Sequence, residues 1–308
     1  MRTARAYSPA GVSSFFEVVD HDANDDPISD PLRTGARGGG YVISRGVKTE
    51  VEVKTGLKDK ITVCMNGQVR EDAKVSETVA RNLLEIGRIH ATVTVHHVIE
   101  PPVGCGCGAS GAGALSTALA LCEALDLDMT YNQIGQIAHV AEISCRTGLG
   151  TVAPLMVGGN VVTVQPGAPG LCVIDRIPLK PDYQILLGWF GPIPKSAVLS
   201  NESMKARINR YGKSALSKIL KEPTPENFMM VCRTFAENAG FMTERLNRLL
   251  YVMKKSGAIG ATQNMLGEAG HALVEEEKVR NVYEATKNIL PKKQIMISTV
   301  ESGVARLI

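Results

Sequence analysis

Residues 101–121 read PPVGCGCGASGAGALSTALAL, and the interpretation of the whole chain depends on this stretch. Glycine stands at positions 104, 106, 108, 111 and 113, where the missing Cβ permits positive φ and lets backbone N–H groups approach a ligand closely. The Ala- and Leu-rich segment 114–125 follows and predicts a strong helix. A helix start offers unpaired N–H groups and the positive end of the dipole, which favour phosphate. The stretch therefore predicts a phosphate-binding loop over residues 102–112, with the Ser110 hydroxyl placed to meet a phosphate oxygen or Mg²⁺.

Two other kinds of nucleotide loop fit the same stretch less well. No Gly-Lys-Ser/Thr follows the glycines, so the loop is not a Walker loop. A dinucleotide fingerprint needs a βαβ unit with a suitably spaced acid, and only the preceding strand is in place. A purely structural glycine turn stays open as an alternative. Seven small residues from Gly108 to Ala114 would, however, lose conformational entropy on ordering with no ligand to compensate.

The segments around the loop predict a chain that begins rich in strands and ends rich in helices. Apolar, β-branched runs indicate strands, and apolar residues at a spacing of three and four indicate helices. The change of pattern near residue 180 predicts an α+β protein with one domain over 1–180 and a second over 181–308. The predicted strands are 41–53, 60–65, 90–99, 157–164, 170–177, 184–190 and 294–300, and the predicted helices are 71–86, 114–125, 131–142, 202–220, 225–239, 242–255, 265–277 and 279–289.

The amino-acid composition gives information about which kinds of binding partner the protein has. The 308 residues carry a net charge of +3 and only 5% aromatic residues, which gives no argument for nucleic acid or an anionic membrane. No apolar run reaches the roughly 18 residues that span a bilayer. The seven scattered cysteines fit reduced thiols, and we expect a cytoplasmic protein. Cys105 and Cys107 form a C-x-C pair, but no second ligand pair stands at zinc spacing.

The loop pattern P-x-G-x-G-x-G-A-S-x-A resembles the second motif of the GHMP kinases, the superfamily of galactokinase, homoserine kinase and mevalonate kinase. Two further segments extend the resemblance over nearly the whole chain. Residues 8–18, SPAGVSSFFEV, resemble the N-terminal substrate motif, and residues 256–273, SGAIGATQNMLGEAGHAL, stand in the place of the third motif. The resemblance implies an N-terminal ribosomal-S5-like α/β domain, a C-terminal ferredoxin-like α/β domain, use of ATP with Mg²⁺, and a homodimer.

Within this superfamily, the chain looks most like the archaeal pantoate kinases. The likeness rests on the S-P-x3-S-x-F-F-E segment, on GARGGGYVISRGV at 35–47, on CRTGLGTV at 145–152 and on the Met-Leu-Gly triplet at 265–267. Ala10 and Gly11 depart from it, because that family has glycine and histidine there. The resemblance implies phosphorylation of pantoate to 4-phosphopantoate in coenzyme A biosynthesis. Another small hydroxy acid or alcohol, such as mevalonate, homoserine or shikimate, is the alternative acceptor.

The resemblance also assigns the metal and phosphate ligands. Ser110 matches the magnesium-binding serine, and Glu142 matches the magnesium-binding glutamate. Glu142 is also the only acidic residue between Met129 and Ile174, so no other nearby carboxylate in the sequence could serve. An exposed glutamate at a helix end is the alternative reading of Glu142. The residues expected to bind the ATP phosphates are Pro102, Gly104, Gly106, Gly108, Ala109, Ser110, Gly111 and Ala112.

The expected general base is missing from the sequence. Many superfamily members place an aspartate shortly after the glutamate, where this chain has Thr151. We expect either no general base or one from the N-terminal segment, such as Glu17 or Asp20. A loose transition state reduces the need for a base, because the nucleophile loses its proton late. The missing aspartate also fits a nucleotide-binding sensor without turnover. A sugar- or anion-binding module that uses no ATP is a further alternative, and it predicts no magnesium-dependent nucleotide binding.

An acidic substrate needs a cationic clamp, and arginine offers bidentate geometry to a carboxylate. Arg37 and Arg146 are the candidates, with a surface role as the alternative for each. Ser13, Ser14 and Thr147 are the other candidate substrate-binding residues. Lys195 could reach a phosphate or lie on the surface.

Overall fold

The computed structural model describes residues 1–193 and 202–308, which form two β-sheets with helices packed against them. Lys195, a candidate phosphate ligand, lies outside the described residues. The strands are β1 (Arg2–Val19), β2 (Gly35–Thr55), β3 (Lys60–Met65), β4 (Gln68–Val69), β5 (Ala91–Ile99), β6 (Asn160–Gln165), β7 (Val173–Ile177), β8 (Tyr183–Pro192), β9 (Gly260–Gln263), β10 (Gly267–Glu275), β11 (Ile295–Thr299) and β12 (Arg306–Leu307). The helices are α1 (Lys74–Gly87), α2 (Ala109–Leu125), α3 (Tyr131–Ser144), α4 (Val152–Leu155), α5 (Glu202–Lys221), α6 (Pro225–Ala239), α7 (Glu244–Lys255) and α8 (Glu276–Lys287), followed by a 3₁₀ turn over Lys292–Gln294.

The sequence-predicted loop leaves the first sheet and contacts the end of β8 and the β9–β10 turn of the second. The first sheet runs β12-β1-β2-β5-β3-β4, with β6 paired to β2 and β7 paired to β6. The second sheet runs β11-β8-β10-β9 and is antiparallel throughout. The loop of residues 100–108 leaves the first sheet at the end of β5 and enters α2. No helix among the described residues is long and apolar enough to cross a membrane.

Helix α2 forms the centre of the first core. Fifteen of its side chains or glycines are buried, including Leu115, Leu119 and Leu121, and the helix is apolar on every face. A helix that is hydrophobic all round belongs in a protein interior. It packs against β1 and β2 on one side and against α1 and α3 on the other. This burial fixes the N-terminus of α2 relative to the sheet.

A second core joins the two sheets. Phe15 on β1 and Tyr41 on β2 make edge-to-face contacts with Phe228 of α6, at centroid distances of 6.1 and 5.4 Å. Aromatic pairs in this geometry contribute about 0.5–1.5 kcal/mol beyond their buried area. The apolar side chains of β8 and β10 pack into the same cluster, so strand β1 contacts both halves of the chain.

The predicted α+β architecture is confirmed, and several elements match closely. The strand at 60–65 and the helix at 225–239 have the predicted bounds. The helix predicted at 114–125 begins five residues earlier, at Ala109, because Gly111 and Gly113 are helical and do not take positive φ.

Two predictions about the elements are wrong. The segment 265–277, predicted to be a helix, contains strand β10, which pairs with β8 on one side and β9 on the other. Its Ala, Leu and Glu residues favour a helix, but cross-strand pairing and burial outweigh that preference. Strand β1, 18 residues long, was not predicted because its Ser, Ala and Gly residues hide the strand pattern.

Candidate functional site

The segment before α2 is a loop of turns built on three left-handed glycines. Gly104, Gly106 and Gly108 have φ values of 79°, 71° and 61°, a region that residues with a Cβ adopt at a cost. Gly108 is the N-cap of α2 and supplies no side-chain cap, and the first turn has no acidic residue. The first helical bond runs from the Ala112 N–H to the Gly108 carbonyl at 3.0 Å. The N–H groups at the start of α2 are therefore uncapped, as a phosphate site requires.

Three consecutive carbonyls of the loop are anchored to the rest of the protein. The Cys105 carbonyl accepts from Asn264 Nδ2 at 3.1 Å. The Gly106 carbonyl accepts from the Ser13 N–H, and the Cys107 carbonyl accepts from the Gly11 N–H, each at 3.3 Å. Within residues 1–193 and 202–308, the N–H groups of residues 106–108 donate to no acceptor. Backbone N–H groups exposed in succession form an anion-binding concavity.

Close backbone contacts hold the same loop against the second sheet. A Cβ built on Gly106 would lie 2.8 Å from Asn264 Cβ, and one built on Gly267 would lie 2.6 Å from the Cys105 carbonyl carbon. A Cβ built on Gly104 would lie 2.8 Å from Pro192 Cβ at the end of β8. Glycine is required at these positions because the two backbones approach more closely than a side chain permits.

Glu142 lies in the last turn of α3 and is only 2% exposed. Its Oε1 accepts a hydrogen bond from Thr147 Oγ1 at 2.8 Å, whereas its Oε2 has no hydrogen-bond partner among the described residues. A Cβ built on Gly111 would lie 2.9 Å from Oε2, and one on Gly148 would collide with the same oxygen. The unpartnered oxygen therefore lies against the first turn of α2, next in sequence to Ser110.

Glu142 Oε2, beside the first turn of α2 that carries Ser110, has the chemistry of a magnesium ligand. Hydroxyl and carboxylate oxygens are ligands that Mg²⁺ accepts, and Mg²⁺ commonly takes one or two carboxylates together with substrate phosphates. A buried carboxylate oxygen without a partner is costly, and a bound cation would remove that cost. In the described part of the chain, no group of three or more His, Cys, Asp or Glu side chains could hold a metal by itself.

Thr151 also lies against the start of α2. A Cβ built on Gly108 would lie 2.7 Å from Thr151 Cγ2, and one built on Gly111 would lie 3.0 Å from Thr151 Cβ. The position that holds an aspartate in many GHMP kinases is thus beside the loop, but here it carries a hydroxyl and a methyl group. Thr151 supplies no carboxylate to accept a proton.

The two candidate bases of the N-terminal segment are both ion-paired. Glu17, 7% exposed, accepts from Arg37 Nη2 at 2.7 Å across the β1–β2 pair, while Glu17 Oε2 and Arg37 Nε have no partner among the described residues. Asp20 accepts from Lys205 Nζ at 2.6 Å and from His21 at 2.8 Å. Burial raises the pKa of Asp20, but the hydrogen bonds from Lys205 and His21 outweigh it and hold that pKa below its ordinary value.

The remaining candidate substrate ligands lie in different environments. Ser13 is half-buried and lies against the loop, whereas Ser14 is 0% exposed and its hydroxyl contacts His271. Arg146 is exposed and has a left-handed φ of 54° just after α3, and Thr147 is bound to Glu142. The structure therefore brings Ser13, Ser110, Glu142, Thr147 and Thr151 to the loop.

Sequence reasoning missed Asn264 and His271, which reach the loop from the second sheet. Asn264 donates to the Cys105 carbonyl, and His271 Nδ1 lies 2.7 Å from Asn264 Oδ1. The signal was an asparagine and a histidine among the small and apolar residues of segment 256–273. Asn264 lies in the turn between β9 and β10 and His271 lies on β10, so the wrong helix prediction for residues 265–277 hid the hairpin that brings the two side chains together.

Comparison with known proteins agrees with this geometry. Residues 73–159, which contain α1, the loop and Glu142, match the family described as GHMP kinases N terminal domain. The pantoate kinase of Thermococcus kodakarensis is 33% identical over 306 residues, covering 98% of each chain. The pantoate kinase of Methanocaldococcus jannaschii is 30% identical and covers 92% of this chain and 97% of its own.

Solved structures have the same fold. A phosphotransferase related to the coenzyme A biosynthesis pathway superposes with a TM-score of 0.88 at 31% identity, over 99% of this chain and 98% of its own. A homoserine kinase from Cytophaga hutchinsonii superposes with a TM-score of 0.73 at 15% identity, over 100% and 98% of the two chains, which shows the shared fold alone. Together with its sequence relatives, these matches show that the chain belongs to the GHMP kinases and, within them, to the pantoate kinase family.

Proposed function

We propose that this protein transfers the γ-phosphoryl group of ATP to the hydroxyl of pantoate, giving 4-phosphopantoate for coenzyme A biosynthesis. The observation that carries the proposal is Glu142 Oε2, which has no hydrogen-bond partner in the described part of the chain and lies at the uncapped N-terminus of α2, in a chain of the pantoate kinase family. Membership of that family makes the protein a phosphotransferase with an alcohol group as acceptor. The uncapped start of α2 attracts a phosphate, whereas the nearby carboxylate repels it. A cation between the carboxylate and the phosphate removes this conflict.

The chain's own residues supply positioning and charge. The N–H groups of residues 104–111 hold the ATP phosphates, with Pro102 at the entrance to the loop, whereas the Ala112 N–H is already bonded to the Gly108 carbonyl. Ser110 Oγ and Glu142 Oε2 would hold Mg²⁺, and Thr147 fixes the other carboxylate oxygen of Glu142 at 2.8 Å. When bound there, Mg²⁺ would supply neutralisation of the charge that develops on the transferred group. Phosphoryl transfer needs little covalent chemistry from the protein, so this arrangement is sufficient to promote it.

Arg37 is the proposed ligand of the pantoate carboxylate. Glu17 already holds Arg37 Nη2, so the guanidinium is pre-oriented and its remaining N–H groups stay available. The side chain is one-third exposed, which leaves it open to a small acid. Arg146 and Ser13 complete the proposed substrate site, whereas the buried Ser14 has no access to a substrate.

We further propose that the transfer proceeds without a strong general base. Thr151 occupies the position beside the loop and cannot take up a proton at neutral pH. Glu17 is engaged by Arg37, and the hydrogen bonds from Lys205 and His21 lower the pKa of Asp20, which makes Asp20 a weak proton acceptor. In a loose transition state the attacking hydroxyl of pantoate loses its proton late. The oxygens of the transferred phosphoryl group can then receive that proton.

The experiment that tests the proposal is ADP release from MgATP with pantoate, mevalonate, homoserine, shikimate or no acceptor. We expect turnover with pantoate. Turnover only with another acceptor would refute pantoate as the substrate, while the protein would still be a kinase. Nucleotide binding with no turnover on any acceptor would favour a sensor instead. The homodimer, the cytoplasmic location and the domain division at residue 180 stay predictions, which size-exclusion chromatography, cell fractionation and limited proteolysis can check.

A further inference from the structure

A chain of buried polar side chains connects strand β1 with the phosphate-binding loop through the second sheet. Ser14 Oγ lies 2.9 Å from His271 Nε2, His271 Nδ1 lies 2.7 Å from Asn264 Oδ1, and Asn264 Nδ2 lies 3.1 Å from the Cys105 carbonyl oxygen. Ser14, His271 and Asn264 are each 0% exposed. None of them can touch a substrate, so any effect they have on the reaction passes through the loop.

Only one arrangement of protons satisfies all three contacts. The Cys105 carbonyl can only accept, so Asn264 presents its NH₂ group to it and its amide oxygen to His271. That oxygen needs a proton on Nδ1 of the imidazole. Burial lowers the pKa of His271 to about 3, so the ring is neutral and carries this single proton. His271 Nε2 must then accept from the Ser14 hydroxyl, and every donor in the chain points toward the loop.

The contact at the end of this chain controls the direction of one peptide group. In a trans peptide the N–H and the C=O point to opposite sides, so a carbonyl held by the protein turns the following N–H away from it. Gly106, with a φ of 71°, follows the peptide between Cys105 and Gly106, and because glycine adopts either sign of φ this peptide can turn over at little steric cost. The next two carbonyls are held by backbone N–H groups of β1, whereas the Cys105 carbonyl depends on the Asn264 side chain.

We propose that Ser14, His271 and Asn264 are positioning residues that hold the Cys105–Gly106 peptide in its phosphate-binding orientation. Asn264 fixes the carbonyl, His271 fixes the amide orientation of Asn264, and Ser14 fixes the tautomer of His271. The buried hydroxyl of Ser14 thereby has a role other than contact with substrate. The inference rests on the proposed function in one respect, that the anion bound by the loop is the phosphate chain of ATP.

The decisive variant is Asn264→Asp, because it keeps the size of the side chain and replaces the NH₂ donor with an acceptor. The dissociation constant of MgATP, measured by titration calorimetry, is expected to rise at least about tenfold, which is the effect of losing one hydrogen bond and leaving a carbonyl unpaired. Thr262→Val is the matched control. Thr262 pairs directly with His271 in the sheet, is 0% exposed, and its Oγ1 has no partner among the described residues.

Thr262→Val should change the dissociation constant by less than about twofold, because no hydrogen bond is lost. Ser14→Ala, a smaller change, should weaken MgATP binding by a few-fold and alter the ring nitrogen shifts of His271. In the wild-type protein, ¹⁵N NMR of the imidazole should show a protonated Nδ1 and an unprotonated Nε2. A proton on Nε2, or wild-type affinity in Asn264→Asp, would overturn the proposal.

The readouts separate this proposal from the proposed function. Circular dichroism melts identify a variant that has lost its fold, and in that case Ser14→Ala and the wild-type NMR measurement still decide. If the wild-type protein binds MgATP but phosphorylates no acceptor, the proposed function fails while the dissociation constants still test the three residues. If the wild-type protein turns over and Asn264→Asp binds MgATP normally, only the present inference fails.

Discussion

Replacing Glu142 by Gln tests the proposed metal site with almost no change of shape. The glutamine keeps an oxygen for Thr147 Oγ1, which donates to Glu142 Oε1 at 2.8 Å, and removes the charge from the buried Oε2. Removal of one preorganised electrostatic partner typically lowers kcat by roughly 100- to 1,000-fold, or about 2.7–4 kcal/mol. We expect a loss of that size in ADP release with pantoate, together with a weaker dependence on the Mg²⁺ concentration.

The same substitution should not harm the fold. Glu142 is 2% exposed, and its unpartnered oxygen costs folding free energy that a neutral amide largely avoids. The free energy of unfolding without nucleotide should therefore stay the same or rise by about 1 kcal/mol. Glu77→Gln is the matched control, because Glu77 on α1 is held by Lys74 and Arg81 at 3.0 and 2.9 Å. Wild-type turnover and Mg²⁺ dependence in Glu142→Gln would refute the assignment of the metal site.

Three further substitutions test other parts of the site. Ser110→Ala should lower kcat strongly and leave the melting temperature unchanged, and full activity would remove Ser110 from the metal site. Arg37→Ala should raise the KM for pantoate about tenfold or more, because a charge-assisted hydrogen bond to the acid is lost. The KM for MgATP should stay unchanged. An unchanged KM for pantoate would contradict the assignment of Arg37. Gly267→Ala should raise the KM for MgATP, since a Cβ there would lie 2.6 Å from the loop backbone. Gly191→Ala, with nothing within 4 Å, is its control, and equal KM values for the two would count against the close-contact argument.

The loop was predictable because its information is local. Glycines at positions 104, 106 and 108, followed by small residues and an apolar helix, are read directly from consecutive positions. Glu142 was selected because it matches the glutamate of the resembling family, with no other carboxylate near it in the sequence, and its role as a metal ligand stays a prediction. The structure places this carboxylate against the first turn of α2 because α2 and α3 pack side by side.

The contacts that support the loop were not predictable from local patterns. Asn264 meets the carbonyl of Cys105 across 159 positions of sequence, and Ser14 meets His271 across 257. Strand β10 was mistaken for a helix because Ala, Leu and Glu favour a helix by themselves, and only pairing on both edges makes the segment a strand. Ser14 was predicted to bind substrate, like Ser13, because the sequence alone does not reveal which of two neighbouring serines faces the protein interior.

Because Thr151 carries no carboxylate, the proposed reaction places more demand on how the loop is held. A kinase with an acidic residue at that position can obtain part of its rate from proton abstraction, whereas a hydroxyl beside Gly108 and Gly111 offers no such contribution. In the proposed reaction, the rate then depends on how accurately the phosphates, the metal and the acceptor hydroxyl are placed. Anchoring of three successive carbonyls, at residues 105, 106 and 107, supplies that accuracy on the phosphate side. The Glu17–Arg37 pair would supply it on the acceptor side, because an arginine already held at 2.7 Å loses little freedom when it binds a carboxylate.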